Sequence, residues 1–218
     1  MAMVSGSHKF VYVSGGRNAT GSVKAGLLKA IPNLKYFDPA KKSSKLWKKY
    51  DKHMPARHIK KNIDSDLWNN SFKFSFVRNT YSWVISSYMF WVKIGRCKLP
   101  KDGIMDMKCF EEVVRYYSTA VGRRFDECSK IRSQHSFICD ENCKVLLDFV
   151  GQFEKLQYGF NQICRKIGVK PIELPRRNKS LASKRDWKEH YRKTPEAKDF
   201  VYQHWKRDID AFDFKLGL

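Results

Sequence analysis

No stretch of this 218-residue chain approaches the ~18 consecutive apolar residues that span a membrane, and the amino terminus has no apolar leader segment. A soluble chain without a transmembrane segment is expected. Cysteine and histidine are few, six of each, and scattered. Cys139-Asp140-Glu141-Asn142-Cys143 misses the Cys-x-x-Cys spacing of a redox motif and no histidine cluster completes a zinc site, so no metal is expected. At this length a disulfide scaffold is unnecessary. Most cysteines read as semi-buried thiols, with Cys139 and Cys143 the pair that a local disulfide could join in an oxidising compartment. Zinc-finger, RNP and helix-turn-helix signatures are absent, as are repeats and low-complexity tracts. Acid is scarce: 22 Asp and Glu face 43 Lys and Arg, leaving a net charge of +21.

What the chain does contain begins with Lys9-Phe10-Val11-Tyr12-Val13, an apolar, β-branched and aromatic run of the kind buried in parallel sheets. A turn rich in Gly, Asn and Ser follows, and Val23 to Lys29 then has helical apolar spacing, so a helix is expected from near Thr20. Gly15, Gly16 and Gly21 allow close backbone approach. The first amides of a helix lack intrahelical partners and carry the positive end of its dipole, so a phosphate or sulfate is expected to dock there, with Arg17 and Ser22 adding donors. Gly16-x-x-x-x-Gly21-Ser22 matches a Walker A loop except for its missing Lys, which removes the most specific contact of an ATPase or kinase.

Phe72-Lys73-Phe74-Ser75-Phe76-Val77 reads as a second strand, with Arg78 at its carboxyl end, where ligands of open α/β sheets collect. Thr80 is expected to cap a helix running through Trp83, Val84, Ser87, Tyr88 and Trp91. Ser86 lies about 9 Å along that helix, within the span of a folded-back Arg78 side chain, so one anion could touch both.

These segments resemble the phosphate motifs of the sulfotransferases that use 3'-phosphoadenosine 5'-phosphosulfate, in particular their carbohydrate branch. Gly16-Arg17-Asn18-Ala19-Thr20-Gly21-Ser22 stands where that family has Pro-Lys-Thr-Gly-Gly-Thr-Ser, the loop for the 5'-phosphosulfate. Phe76-Val77-Arg78-Asn79-Thr80-Tyr81, with Ser86 and Tyr88 beyond, is similar to the 3'-phosphate motif Phe-x-Arg-Asn-Pro-Tyr-x-Arg-x-x-Ser-x-Tyr. Arg78 and Ser86 match. Arg17 replaces a Lys, Ala19 and Thr20 replace paired glycines, and Thr80 and Trp83 replace a Pro and a second Arg. Asp148 to Leu156, Leu174 to Ser180 and Val201 to Phe212 extend the likeness over most of residues 9 to 214.

The resemblance implies an α/β fold of three layers, a mostly parallel sheet flanked by helices with a P-loop-like nucleotide site. It implies in-line sulfuryl transfer to an acceptor hydroxyl or amine, a carbohydrate in this branch, without a metal. Cofactor contacts fall to Gly16, Arg17, Asn18, Ala19, Thr20, Gly21, Ser22, Arg78, Ser86, Arg177 and Lys179, and Arg17 would stabilise charge as adenosine 3',5'-bisphosphate leaves. A base is placed at His53, in Lys52-His53-Met54-Pro55-Ala56-Arg57, since a neutral imidazole with an ordinary pKa of about 6.5 accepts a hydroxyl proton at neutral pH. His58, one turn further, is the runner-up.

Basic residues concentrate in Lys41, Lys42, Lys45, Lys48, Lys49, Lys52, Arg57, Lys60 and Lys61, and again from Arg176 to Lys193. A cofactor with about four negative charges does not need so many cations, so the surplus suggests an anionic carbohydrate acceptor. Two other classes stay open at this stage. One is a basic nucleic-acid-binding protein, stacking bases on Trp47, Tyr50, Trp68, Trp187 and Tyr191, although no recognition signature supports a nucleic-acid partner. The other is a P-loop nucleotide kinase.

Strands are expected near 9–14, 34–37, 72–77 and 145–149, and helices near 20–30, 55–62, 80–94, 108–120, 153–167 and 195–210. Residues 1–8 are expected to form an N-terminal tail and 9–218 a single domain. The glycosylation sequons at Asn18, Asn69 and Asn178 read as incidental, because a glycan on the first would block the phosphate loop, and a cytoplasmic setting is favoured over the Golgi lumen.

Overall fold

The computed structural model describes residues 2–39, 53–118, 133–175 and 186–217. They form two compact units, one of residues 2–39, 53–77 and 134–175, the other of 78–118, 133 and 186–217. In chain order the elements are β1 (Met3–Ser5), β2 (Phe10–Tyr12), α1 (Thr20–Ala30), α2 (Ala56–Asn62), α3 (Ser65–Asn69), β3 (Phe72–Val77), α4 (Thr80–Lys93), α5 (Met107–Ser118), α6 (Gln134–Ile138), β4 (Phe149–Gln152), a 3-10 turn (Phe153–Lys155), α7 (Leu156–Lys166), α8 (Trp187–Lys193) and α9 (Glu196–Ala211).

In the first unit the strands lie in the order β1-β2-β3-β4, with β2, β3 and β4 parallel and β1 antiparallel to β2. The alternation of side chains along a strand sorts the apolar residues onto two faces. Phe10, Tyr12, Phe74 and Phe76 turn to one, covered by Val23 and Leu27 of α1 and by Phe160 and Ile163 of α7. Val4, Val11 and Val13 turn to the other, beneath Ala56 and Ile59 of α2 and Trp68 of α3. The result is the expected mostly parallel α/β sheet flanked by helices. Gly26 marks a close approach between α1 and α7, since a methyl at that position would fall 2.9 Å from the Phe160 ring.

Several boundaries differ from expectation. Residues 1–8 are not a tail throughout, because Met3–Ser5 is a fully buried edge of the sheet; three residues are too few to display a period. The strand expected at 34–37 is reduced to one bridge between Phe37 and Val4, and that at 145–149 moves on to Phe149–Gln152, with Val145 bridging Cys139. The helices α3, α6 and α8 were not anticipated, each being at most two turns long and too short to show a helical repeat.

In the second unit α4 packs on α5, α8 and α9 through aromatic side chains. Trp83 meets Trp205 edge-on at 5.7 Å, and Tyr81 meets Tyr191 edge-on at 5.6 Å. The buried Tyr191 hydroxyl donates to the Tyr81 carbonyl at 2.9 Å, and burial holds it well above the usual tyrosine range. Buried His190 accepts the Met105 amide at Nδ1, 3.1 Å away. Asn79, not Thr80, caps α4: its side-chain oxygen accepts the Tyr81 amide at 3.0 Å, and Thr80 becomes the first helical residue.

The cysteines also depart from the expected pattern of thiols. A disulfide joins Cys97 to Cys109, closing the connection between α4 and α5, and Cys143 is disulfide-bonded as well. Cys139 and Cys164 are buried and not disulfide-bonded, so the local Cys139–Cys143 bridge does not form.

Candidate active site

At the carboxyl end of β2 the chain turns through Ser14–Ala19 into α1. Arg17 and Ala19 both adopt left-handed backbone, with φ of 67° and 56°. The Thr20 hydroxyl donates to the Gly15 carbonyl at 2.7 Å. Asn18 points inward rather than toward the loop mouth: it is 3% exposed, and its amide nitrogen donates to the Phe76 carbonyl at 2.9 Å and to Gln134 Oε1 at 3.0 Å. Gly15 accommodates this, because a methyl there would lie 2.8 Å from the Asn18 amide nitrogen. The loop is thereby tied to the end of β3 and to α6.

Ser22 and Val23 donate their amides to the Ala19 carbonyl at 2.9 and 3.0 Å, so α1 starts where the sequence places it. No side chain caps it and no acidic residue stands in its first turn. Opening amides at an uncapped, acid-free helix start are donors that an anion can use. Tyr12, at the end of β2, has its hydroxyl pushed up by burial, partly offset by the Thr20 hydroxyl, and stays protonated.

His53, just before α2, places Nδ1 3.0 Å from the Ser14 carbonyl oxygen. A carbonyl only accepts, so Nδ1 is the nitrogen that donates here, and in the neutral form of such a ring Nε2 is the basic one. Nε2 lies beside the loop, 4.0 Å from where a Gly16 methyl would stand. His58 is differently placed, with Nε2 facing the Arg57 Nε–H at 3.4 Å. Arg57 itself is 2% exposed and therefore not part of a basic surface.

In the second unit Arg78 Nε donates to Ser82 Oγ at 2.9 Å, and Ser82 donates on to the Asn79 carbonyl at 3.0 Å. Ser82 and Ser86, four residues apart on α4, share one face, and both are buried. Ser82 escaped the sequence reading although the spacing of four from both Arg78 and Ser86 marks it. Gln134 had no local signal, since only the fold brings it to Asn18. The hydroxyl of Thr80 is buried without a hydrogen-bond partner. Arg177 and Lys179, the basic residues from Lys41 to Lys52, and Trp47 and Tyr50 lie outside the described residues.

A parallel sheet whose strand β2 leads through a turn into an uncapped helix is an arrangement that suits a phosphorylated ligand. The family model described as the sulfotransferase family matches residues 1–215, and the chain belongs to that family. It is a sulfotransferase, and the family draws its sulfuryl group from 3'-phosphoadenosine 5'-phosphosulfate. No curated protein and no solved structure matches the chain. Among the described residues no helix is long and apolar enough to cross a membrane.

Each unit by itself holds groups that suit an anionic part of such a donor: in the first the uncapped, acid-free start of α1, and in the second the Arg78, Ser82 and Ser86 face with the buried, partnerless Thr80 hydroxyl.

Proposed function

We propose that the chain transfers a sulfuryl group from 3'-phosphoadenosine 5'-phosphosulfate to a hydroxyl of a carbohydrate acceptor, with His53 as the general base. The observation that carries this reading is the Nδ1–H bond from His53 to the Ser14 carbonyl, which leaves Nε2 basic beside the phosphate loop. The donor supplies a sulfuryl group activated by its bond to phosphate. His53 Nε2 takes the acceptor hydroxyl's proton as that oxygen bonds to sulfur. Arg17 and the first amides of α1 stabilise the charge left on the bridging oxygen when its bond to sulfur breaks and adenosine 3',5'-bisphosphate is released. Gly16, Asn18, Ala19, Thr20, Gly21 and Ser22 contribute the backbone of that cradle. Arg78, with Ser82 and Ser86, holds the 3'-phosphate, and Arg177 and Lys179 add cationic contacts to the nucleotide.

The net charge of +21 supports an acceptor that is itself anionic. The Cys97–Cys109 disulfide favours an oxidising compartment over the cytoplasm.

The test is transfer of label from radiolabelled donor to a panel of polysaccharides, glycolipids and small alcohols, with the parent and with His53→Ala. The parent should label a polysaccharide, and the variant should do so at least about 100-fold more slowly while binding adenosine 3',5'-bisphosphate equally well. Equal rates would remove His53 from the mechanism, and labelling of small alcohols alone would remove the carbohydrate.

A further inference from the structure

At the opposite end of the sheet from the phosphate loop, a cleft of about 750 Å³ opens at the amino ends of β2 and β3, beside the last turn of α7. Lys9 and Ser14 are five residue steps apart along strand and turn, about 16 Å at 3.3 Å per step, so this cleft is separate from the loop. Its walls carry cations and hydrogen-bonding groups with little left to satisfy them from within. Lys73 is engaged, since its ammonium lies 3.0 Å from Asp148 and donates to the Ser71 carbonyl at 2.7 Å. Lys9 and Lys166, both exposed, have no acidic partner among the described residues. The Asn69 and Asn70 side chains are exposed at the rim. Ser71 is 4% exposed, and its hydroxyl is buried with no hydrogen-bond partner. A buried hydroxyl without a partner is costly, and a ligand oxygen or amide in the cleft would remove that cost.

With Lys73 and Asp148 neutralising each other and Ser7 paired with His8, two ammonium groups remain, joined by two carboxamides, the Ser71 hydroxyl and Phe72. A bare inorganic anion would use only the ammoniums. A sugar ring bearing a sulfate or carboxylate would use them all, and the volume suits one or two rings. We propose that this cleft is an accessory binding site for an anionic sugar unit. The choice of a sugar rests on the carbohydrate reading of the acceptor; the anionic character rests on the cleft alone.

The experiment is titration of the full chain by calorimetry with a disaccharide carrying one sulfate and one carboxylate, with its desulfated, carboxyl-reduced counterpart, and with inorganic sulfate. Parent, the Lys9→Ala/Lys166→Ala double variant, Lys166→Glu and Ser71→Ala are compared. The parent should bind the charged disaccharide, the neutral one at least tenfold more weakly and inorganic sulfate at least tenfold more weakly. The double variant and Lys166→Glu should each lose at least tenfold, and Ser71→Ala about threefold, with affinity for adenosine 3',5'-bisphosphate unchanged as the check of folding. Parent-like binding by the double variant, sulfate binding as tightly as the disaccharide, or no disaccharide binding would each overturn the proposal. A chain that sulfates a small alcohol but does not bind the disaccharide refutes the cleft alone. One that binds it through Lys9 and Lys166 but transfers no sulfate refutes the catalytic reading alone.

Discussion

Asn18 donates a hydrogen bond of 2.9 Å to the backbone carbonyl of Phe76, fastening the phosphate loop to the carboxyl end of β3. The same nitrogen reaches Gln134 at 3.0 Å, so one buried carboxamide holds three segments distant in sequence. Asn18→Ala would leave the Phe76 carbonyl and the Gln134 oxygen short of a donor, and a loss of about 1–3 kcal/mol in stability is expected. Urea denaturation would measure it. The loop's affinity for adenosine 3',5'-bisphosphate should fall as well, because its geometry is no longer held.

Ala19 offers the opposite effect. With φ at 56° its Cβ is strained, and the backbone there suits glycine. Ala19→Gly should stabilise the protein by about 0.5–1 kcal/mol after the entropy of the more flexible unfolded chain is deducted. Thermal unfolding should shift upward by roughly 1–4 °C. A lower midpoint would show that the methyl contributes packing that outweighs the strain.

Arg78 is bonded through Nε to Ser82, which leaves its guanidinium oriented along the Ser82 and Ser86 face of α4. Arg78→Ala should weaken adenosine 3',5'-bisphosphate by about 1.5–3 kcal/mol, or about 10- to 150-fold, as a charge-assisted contact is lost. Calorimetry would read this directly, and adenosine 5'-phosphate, which lacks the 3' group, should be nearly indifferent to the substitution.

Cys164 is fully buried against the α1 and α7 core, and burial pushes its thiol up to about 11. At pH 8 the folded protein should therefore leave Cys164 unmodified by iodoacetamide, whereas the unfolded chain reacts. The sign for stability follows from the raised value. Below the ordinary thiol range, about 8.5–9, folded and unfolded chains bind this proton equally; above it the unfolded chain ionises first, so stability falls as pH rises toward 11. Denaturation midpoints between pH 8 and 10.5, compared in the parent and Cys164→Ala, would isolate that contribution.

The local chemistry was legible in the sequence wherever a motif and a period coincided. The run Lys9 to Val13, the Gly-rich turn and the spacing from Val23 to Lys29 announced β2, the turn after it and α1, because burial on both sheet faces and helical periodicity each leave a mark on consecutive residues. Met3–Ser5 left no such mark. Nor did the pairing of Cys97 with Cys109, which depends on α4 and α5 lying side by side.

By itself the sequence determined where β2, β3, α1, α2 and α7 form in the first unit, since side-chain alternation and helical periodicity mark those segments. Tertiary structure decided which ring nitrogen of His53 carries its proton, that Asn18 turns inward, and that Lys9, Ser71 and Lys166 meet in one cleft. Each of these depends on groups brought together across the sheet, and no local pattern records which distant carbonyl, amide or ammonium a side chain will meet.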